Sequence, residues 1–302
     1  MLHMVVNPIA GRGRALSELQ RLLEGLGTAG VALDVHRTTH PGHATEIVRA
    51  LPDGATVVAV GGDGTVHEVA IGCLQRCATL GVLPTGSGDD FAFALGIDRR
   101  DLHSALRSVR AGRVRRVDVG SVNGVPFVNG FGCGFDADVA RRVLHAPAAY
   151  RGLARYLYGV AGALRDFELR DAAVRVDGRE VYAGRALLVG VQNGPRAGGS
   201  FLFSPEARPD DGLLDVVIAG PFGRLGTLGV LPKVMRGSHL GHPHIHLVRG
   251  RDVEIHWSSP VVAHVDGESL ADAERTFSIS LRPGALGVFA PNGTPSPRAT
   301  PG

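Results

Sequence analysis

Short apolar runs alternating with longer amphipathic ones organise the first third of the chain. MLHMVV is stopped by Asn7 and Pro8, and after the glycine-rich turn Ala10 to Gly13 the stretch ALSELQRLLEGLG carries Leu16, Leu19, Leu22, Leu23 and Leu26 at helical spacing. The pattern predicts strand, loop, helix. VALDVHRT alternates as a strand, HATEIVRAL reads as a helix, TVVAV as a buried strand, TVHEVAIGCL as a helix and ATLGVLP as a strand, and a further helix begins between Asp89 and Gly96. Alternation of this kind predicts an open parallel α/β sheet with helices on both faces.

The pattern then changes. VRRVDVGSVNGVPFVNGFGCGFD, AVRVDGREVYAGRALLVGVQN and GLLDVVIAG are strand-like runs broken by Asn-Gly, Asp-Gly and other glycine turns, and HIHLVRGRDVEIHW and FSISLRPGALGVFA add more strands. One helical interval, from Arg151 to Leu169, interrupts them. The second half is therefore expected to be an antiparallel β-sandwich, with the boundary at Arg116: residues 1–116 form the α/β domain and 117–283 the sandwich. The tail PNGTPSPRATPG, 291–302, is expected to be disordered from its Pro, Gly, Ser and Thr content.

Composition narrows the function. At 302 residues and 44% hydrophobic the chain can fill two cores, and a net charge of +3 gives no nucleic-acid patch. Lys233 is the one lysine, so nearly all basicity is arginine. The three cysteines, Cys73, Cys77 and Cys133, form neither a CxxC pair nor a zinc knuckle, which fits a reducing cytoplasm. No leader pattern opens the chain and no apolar run reaches about 18 residues, so action on lipids is expected from the aqueous side.

Five motifs can carry chemistry. NPIAGRGRA, from Asn7, lies between a strand and a helix and can offer backbone N–H groups to phosphate; GRGRAL has two glycines of a dinucleotide fingerprint but Leu16 in place of the third, and a plain tight turn is the alternative. GGDGTVHE, from Gly61, occupies another strand-to-helix junction. It is not a P-loop, because GxxxxGK[ST] needs a lysine, so a divalent cation near Asp63 is expected to offset phosphate charge. The alternative is an Asp-Gly turn with Thr65 as N-cap and Glu68 completing a capping box. LPTGSGDDFA repeats the strand, glycine loop and helix start, with Asp89 and Asp90 as phosphate-side acids or simple caps. SPEARPDDGLLDV places Asp210 and Asp211 before a glycine turn, suited to a hard cation or to a hairpin. HVDGESL carries Asp266 and Glu268. His239, His242, His244 and His246 are expected to mark a loop and an exposed strand face, Trp257 to be packing, and Arg110, Arg113, Arg115 and Arg116 to be a solvated face or a membrane contact.

Read in order, NPIAGRGRA, GGDGTVHEV, LPTGSGDDFA, NGFGCGFDA, SPEARPDDGLLDV and VDGE resemble the soluble lipid kinases of the diacylglycerol kinase catalytic-domain family, more distantly the sphingosine and ceramide kinases, over about residues 3 to 290. The resemblance implies an N-terminal nucleotide-binding domain related to NAD kinases and phosphofructokinases, a C-terminal β-sandwich that takes the lipid, and a last strand, about 284–290, returning to the first domain. It implies that Asn7, Pro8, Ile9, Ala10, Gly11, Thr38, Gly61, Gly62, Asp63, Gly64, Thr65, Val66, His67 and Ser87 contact ATP. Glu268 would be the general base, and Asp63 and Asp90 would belong to the network around catalytic Mg2+. A structural Mg2+ would be held by the Asp211 carboxylate and the carbonyls of Arg208 and Leu213. Ala10 replaces a frequent serine, Ser87 a common threonine and Asp89 a common asparagine.

The implied activity is transfer of the ATP γ-phosphate to a lipid hydroxyl, diacylglycerol or a related lipid, by a cytoplasmic protein touching the inner membrane face peripherally. Sphingoid-base or ceramide kinase, NAD kinase and a noncatalytic regulator are the alternatives. Asp63 is the alternative base, and a homodimer is left open.

Overall fold

The structure is a computed structural model that describes residues 1–25, 32–147, 149–150 and 153–291. The tail expected to be disordered lies, from residue 292 on, outside them. Among the described residues two compact units emerge, one of residues 1–119 with Pro209–Asp211 and 282–291, the other of residues 120–208 and Gly212–Leu281.

In the first unit, strands β1 (Leu2–Val6), β2 (Leu33–Arg37), β3 (Thr56–Gly61) and β4 (Thr79–Pro84) form a parallel sheet in the order β2-β1-β3-β4. Met4, Val5, Val57, Val58, Leu80 and Leu83 are buried, which is why β1, β3 and β4 read as nearly continuous apolar runs while the edge strand β2 alternates. Between them run a single turn α1 (Ala10–Gly13), α2 (Ala15–Gly25), α3 (His43–Arg49) and α4 (Asp63–Arg76), and after β4 come α5 (Asp90–Ala94) and α6 (Leu102–Arg110). Strand order reverses between β1 and β3, so the loops leaving their carboxyl ends flank the sheet's switch point, where ligands collect in such sheets.

Strand β5 (Val114–Val122) leads into the second unit, followed by β6 (Val125–Phe127), β7 (Gly130–Gly134), helices α7 (Phe135–Leu144) and α8 (Leu153–Arg165), β8 (Arg170–Val176), β9 (Arg179–Ala186), β10 (Leu188–Gln192) and β11 (Leu214–Ala219). Helix α9 (Arg224–Met235) precedes β12 (Ile245–Gly250), β13 (Asp252–Val261), β14 (Ala263–Val265), β15 (Glu268–Ser269) and β16 (Glu274–Phe289). One antiparallel sheet runs β12-β11-β10-β7-β14-β15; β16, β13, β8 and β9 form the facing one, also antiparallel. Between them Phe131 and Phe277 meet at 5.1 Å, and the buried Trp257 indole donates to Cys133 Sγ at 3.4 Å, so that tryptophan is core. The far end of β16 pairs in parallel with β4 through Gly287 and Val288.

Two helices depart from the expected pattern. Only one helical interval was expected in the second half, yet α7 and α9 flank it. Helix α7 carries a short apolar stripe, Phe135, Val139 and Val143 at i, i+4 and i+8, that the sequence reading passed over, whereas α9 contains Gly226, Gly229 and Pro232 and lacks the propensity by which a helix is read. Packing supplies what periodicity lacks: Val230 and Val234 of α9 and Phe135 of α7 cover Leu188, Val217 and Ile245 on the outer face of the six-stranded sheet. The histidine run also resolves into packing. His242 and His244 lie against Phe222, His246 against Tyr182, and buried His239 contacts the Phe203 carbonyl at 3.0 Å. Arg115 leaves the expected solvated face: it is largely buried, 3.6 Å from Asp210.

Candidate active site

The first unit gathers most of the residues expected at nucleotide. Asn7 ends β1; its Nδ2 donates to Thr65 Oγ1 at 3.2 Å, and its Oδ1 accepts the Ile9 N–H at 3.1 Å. These bonds tie the first loop to the start of α4. Pro8, Ile9 and Ala10 follow in that loop, and Gly11 and Arg12 adopt left-handed conformations that break the turn before α2. Buried Thr38 donates its N–H to Val6 at the end of the neighbouring strand.

Helix α4 starts at Asp63 with Gly62 as N-cap and no side-chain cap, so its leading N–H groups, at Asp63, Gly64 and Thr65, face the same loops. The capping box, the alternative reading of this motif, does not form. Thr65 is held by Asn7, and Glu68 reaches out of its helix to accept the N–H groups of Gly42 and Ala44 at 2.9 and 3.0 Å, capping α3. Val66 and His67 are buried along α4.

Asp63 performs the parallel task on the other side. Its Oδ1 accepts the Asp90 N–H at 2.6 Å and its Oδ2 the Asp89 N–H at 2.8 Å, joining the second glycine loop to the third at the start of α5. The two loops touch backbone to backbone: a Cβ on Gly86 would lie 2.5 Å from the Gly62 Cα, so only glycine lets them close. Ser87 is exposed at the tip. Asp89, which accepts from the Gly86 N–H at 3.0 Å, is buried, and that burial, then the Asp63 charge, pushes its carboxyl up to about 6.

Sequence reading passed over Thr85. It is 6% exposed, and its Oγ1 has no hydrogen-bond partner among the described residues. A buried hydroxyl in that state, beside a helix start without a side-chain cap and glycine-rich loops, fits a phosphate-bearing nucleotide. The carboxylates of Asp63, Asp89 and Asp90 are a hard donor set of the kind Mg2+ takes.

The second unit places Glu268 at the exposed start of β15, opposite Val265. The Asp266-Gly267 turn before it is anchored: Asp266 accepts the N–H groups of Val128, Asn129 and Gly130 at 2.8 to 2.9 Å. Asp136 and His264, both missed from sequence, pair at 3.2 Å over Gly132, whose hydrogen is what makes room for the contact. The signal was present in NGFGCGFDA and HVDGESL, but their registry across β7 and β14 is tertiary. Arg208, Asp211 and Leu213 lie in the turn before β11, where the Pro209 carbonyl accepts from the Asp118 N–H at 2.7 Å and the Gly212 carbonyl from Arg251 at 3.0 Å.

Glycine loops at the switch point of an open parallel sheet, joined in one chain to a two-sheet antiparallel unit, make an NAD kinase-like fold. Residues 1–122 match the diacylglycerol kinase catalytic domain and residues 130–290 the YegS C-terminal NAD kinase beta sandwich-like domain. The chain is 32% identical over 270 residues to a diacylglycerol kinase of Bacillus subtilis, covering 88% of each chain. To a Pseudomonas aeruginosa protein named "Probable lipid kinase YegS-like" it is 35% identical over 299 residues, covering 96% of this chain and 95% of the relative. A crystal structure of a diacylglycerol kinase from Bacillus anthracis superposes with TM-score 0.73 at 25% identity, covering 97% of both. An ATP complex of an Archaeoglobus fulgidus NAD kinase shares the fold, with TM-score 0.56 at 17% identity over 97% of this chain and 94% of that one. The chain belongs to the diacylglycerol kinase catalytic-domain family and is a lipid kinase, a family membership that implies use of ATP.

Proposed function

We propose that this lipid kinase transfers the γ-phosphate of ATP to the hydroxyl of diacylglycerol or a closely related lipid, giving a phosphatidic-acid-type product. The observation that carries the nucleotide part is the Gly62–Gly86 approach beside the uncapped start of α4. Residues Asn7 to Gly11, Thr38, Gly61 to His67 and Ser87 would surround the nucleotide, with leading N–H groups of α4 on its phosphates. Bound Mg2+ would supply charge neutralisation, held by Asp63 and Asp90, and a second ion would be held by Asp211 with the Arg208 and Leu213 carbonyls. Glu268 would take the proton from the lipid hydroxyl, and its exposure leaves it accessible to a substrate.

The acceptor reading rests on the similarity to the Bacillus subtilis diacylglycerol kinase. Peripheral membrane contact is supported by the second unit's helices, which expose Leu144, Leu157, Tyr158, Leu225 and Leu228, and no described helix is long and apolar enough to cross a membrane. The test is a kinase assay with Mg2+ and ATP against diacylglycerol, monoacylglycerol, sphingosine, ceramide and NAD, products identified by mass spectrometry. Turnover highest with diacylglycerol or monoacylglycerol upholds the proposal; preference for sphingosine, ceramide or NAD overturns it.

A further inference from the structure

On the edge of the first unit's sheet, two imidazoles and a carboxylate converge. His3 on β1 stands in register with Asp34 of the edge strand β2, and His36 follows two residues on, on the same face as Asp34 because strand side chains alternate. His3 Nδ1 lies 3.3 Å from His36 Nε2 and 3.5 Å from Asp34 Oδ2, and the latter two atoms are 3.2 Å apart. We propose that His3, Asp34 and His36 bind a divalent transition metal of the zinc class, water completing a four-coordinate site.

Size and chemistry both support this. Donors held at about 2.0–2.1 Å from a tetrahedral ion stand roughly 3.4 Å apart, the size of the observed triangle. Two imidazole nitrogens with one carboxylate suit zinc, cobalt, nickel or copper, whereas magnesium and calcium take oxygen sets. The His3 side chain is 9% exposed, His36 25% and Asp34 47%, so the triangle is walled on the sheet side and open towards solvent, where an ion enters and a fourth ligand binds. The site is separate from the glycine loops: His3 precedes Asn7 by four residues of strand, about 13 Å. Its role is to cross-link the edge strand to β1, independently of the kinase reading. A second grouping, His40, His43 and Glu46, is a poorer candidate, since His43 Nδ1 already accepts the Thr39 N–H at 3.1 Å and His40 and Glu46 are mostly exposed.

The test uses the full chain stripped with EDTA and titrated with ZnCl2 calorimetrically without nucleotide, then loaded with Co2+ for visible spectroscopy. Wild type is expected to show one tight Zn2+ site, an intense four-coordinate Co2+ spectrum and a Tm raised by Zn2+. His36→Gln and Asp34→Asn are each expected to weaken that site more than about 100-fold, beyond the ~10–100-fold typical of outer-shell losses, and to remove the Tm increase. His40→Gln retains all three signals. No tight site in wild type, unchanged Zn2+ affinity in His36→Gln and Asp34→Asn, or loss in His40→Gln alone overturns the proposal; the first two outcomes would leave the triangle held by imidazole protons.

Discussion

The Asp63 carboxylate of α4 accepts the Asp90 N–H of α5 at 2.6 Å, so the acid inside the second glycine loop binds the start of the third. A charge that looks misplaced among loop glycines thereby has a structural partner before any ion is considered. Asp63→Asn puts an NH2 group where one of two N–H donors needs an acceptor. The expected result is loss of lipid phosphorylation together with about 1–3 kcal/mol of stability, measured by a product assay and urea unfolding.

Glu68 separates capping from catalysis. Its side chain serves the Gly42 and Ala44 N–H groups, and it is placed in no catalytic role. Glu68→Gln is expected to lower the unfolding free energy by roughly 1 kcal/mol while kcat at 25 °C stays within about twofold of wild type.

Asp89 gives the pH dependence. Its folded carboxyl is raised from 3.8 to about 6, so the stability it contributes is present below about pH 4 and lost as pH rises through about 6. Asp89→Asn keeps an oxygen for the Gly86 N–H and removes the buried charge. The variant is expected to match wild type at pH 4 and to exceed it at pH 8 by up to about 3 kcal/mol in urea unfolding.

Glu268 is exposed on β15 and contributes no core packing. Glu268→Gln is expected to lower kcat at least about 100-fold with an unchanged Kd for ATP and an unchanged Tm. Near-normal turnover would remove it as the base and move that role to Asp63.

Leu225 at the start of α9 is 84% exposed, and Leu228 next along the helix 44%. Leu225→Glu is expected to weaken flotation with phosphatidylglycerol vesicles about tenfold, the worth of one large apolar side chain, and to leave Tm unchanged.

The sequence by itself determined the alternating β/α order of the first unit, the glycine junctions and the antiparallel character of the second, because period and turn chemistry are local. The order of motifs also announced the family. Tertiary structure decided who holds whom: Glu68 caps α3 rather than its own helix, Asp63 binds the third loop, and Asp136 meets His264 across 128 residues of chain. It likewise made a helix of α9, whose weak pattern is stabilised by the sheet it covers, and brought His3 beside His36 through parallel pairing. Hydrogen bonds and registry between distant segments have no period along the chain, so they become visible only once the strands are paired.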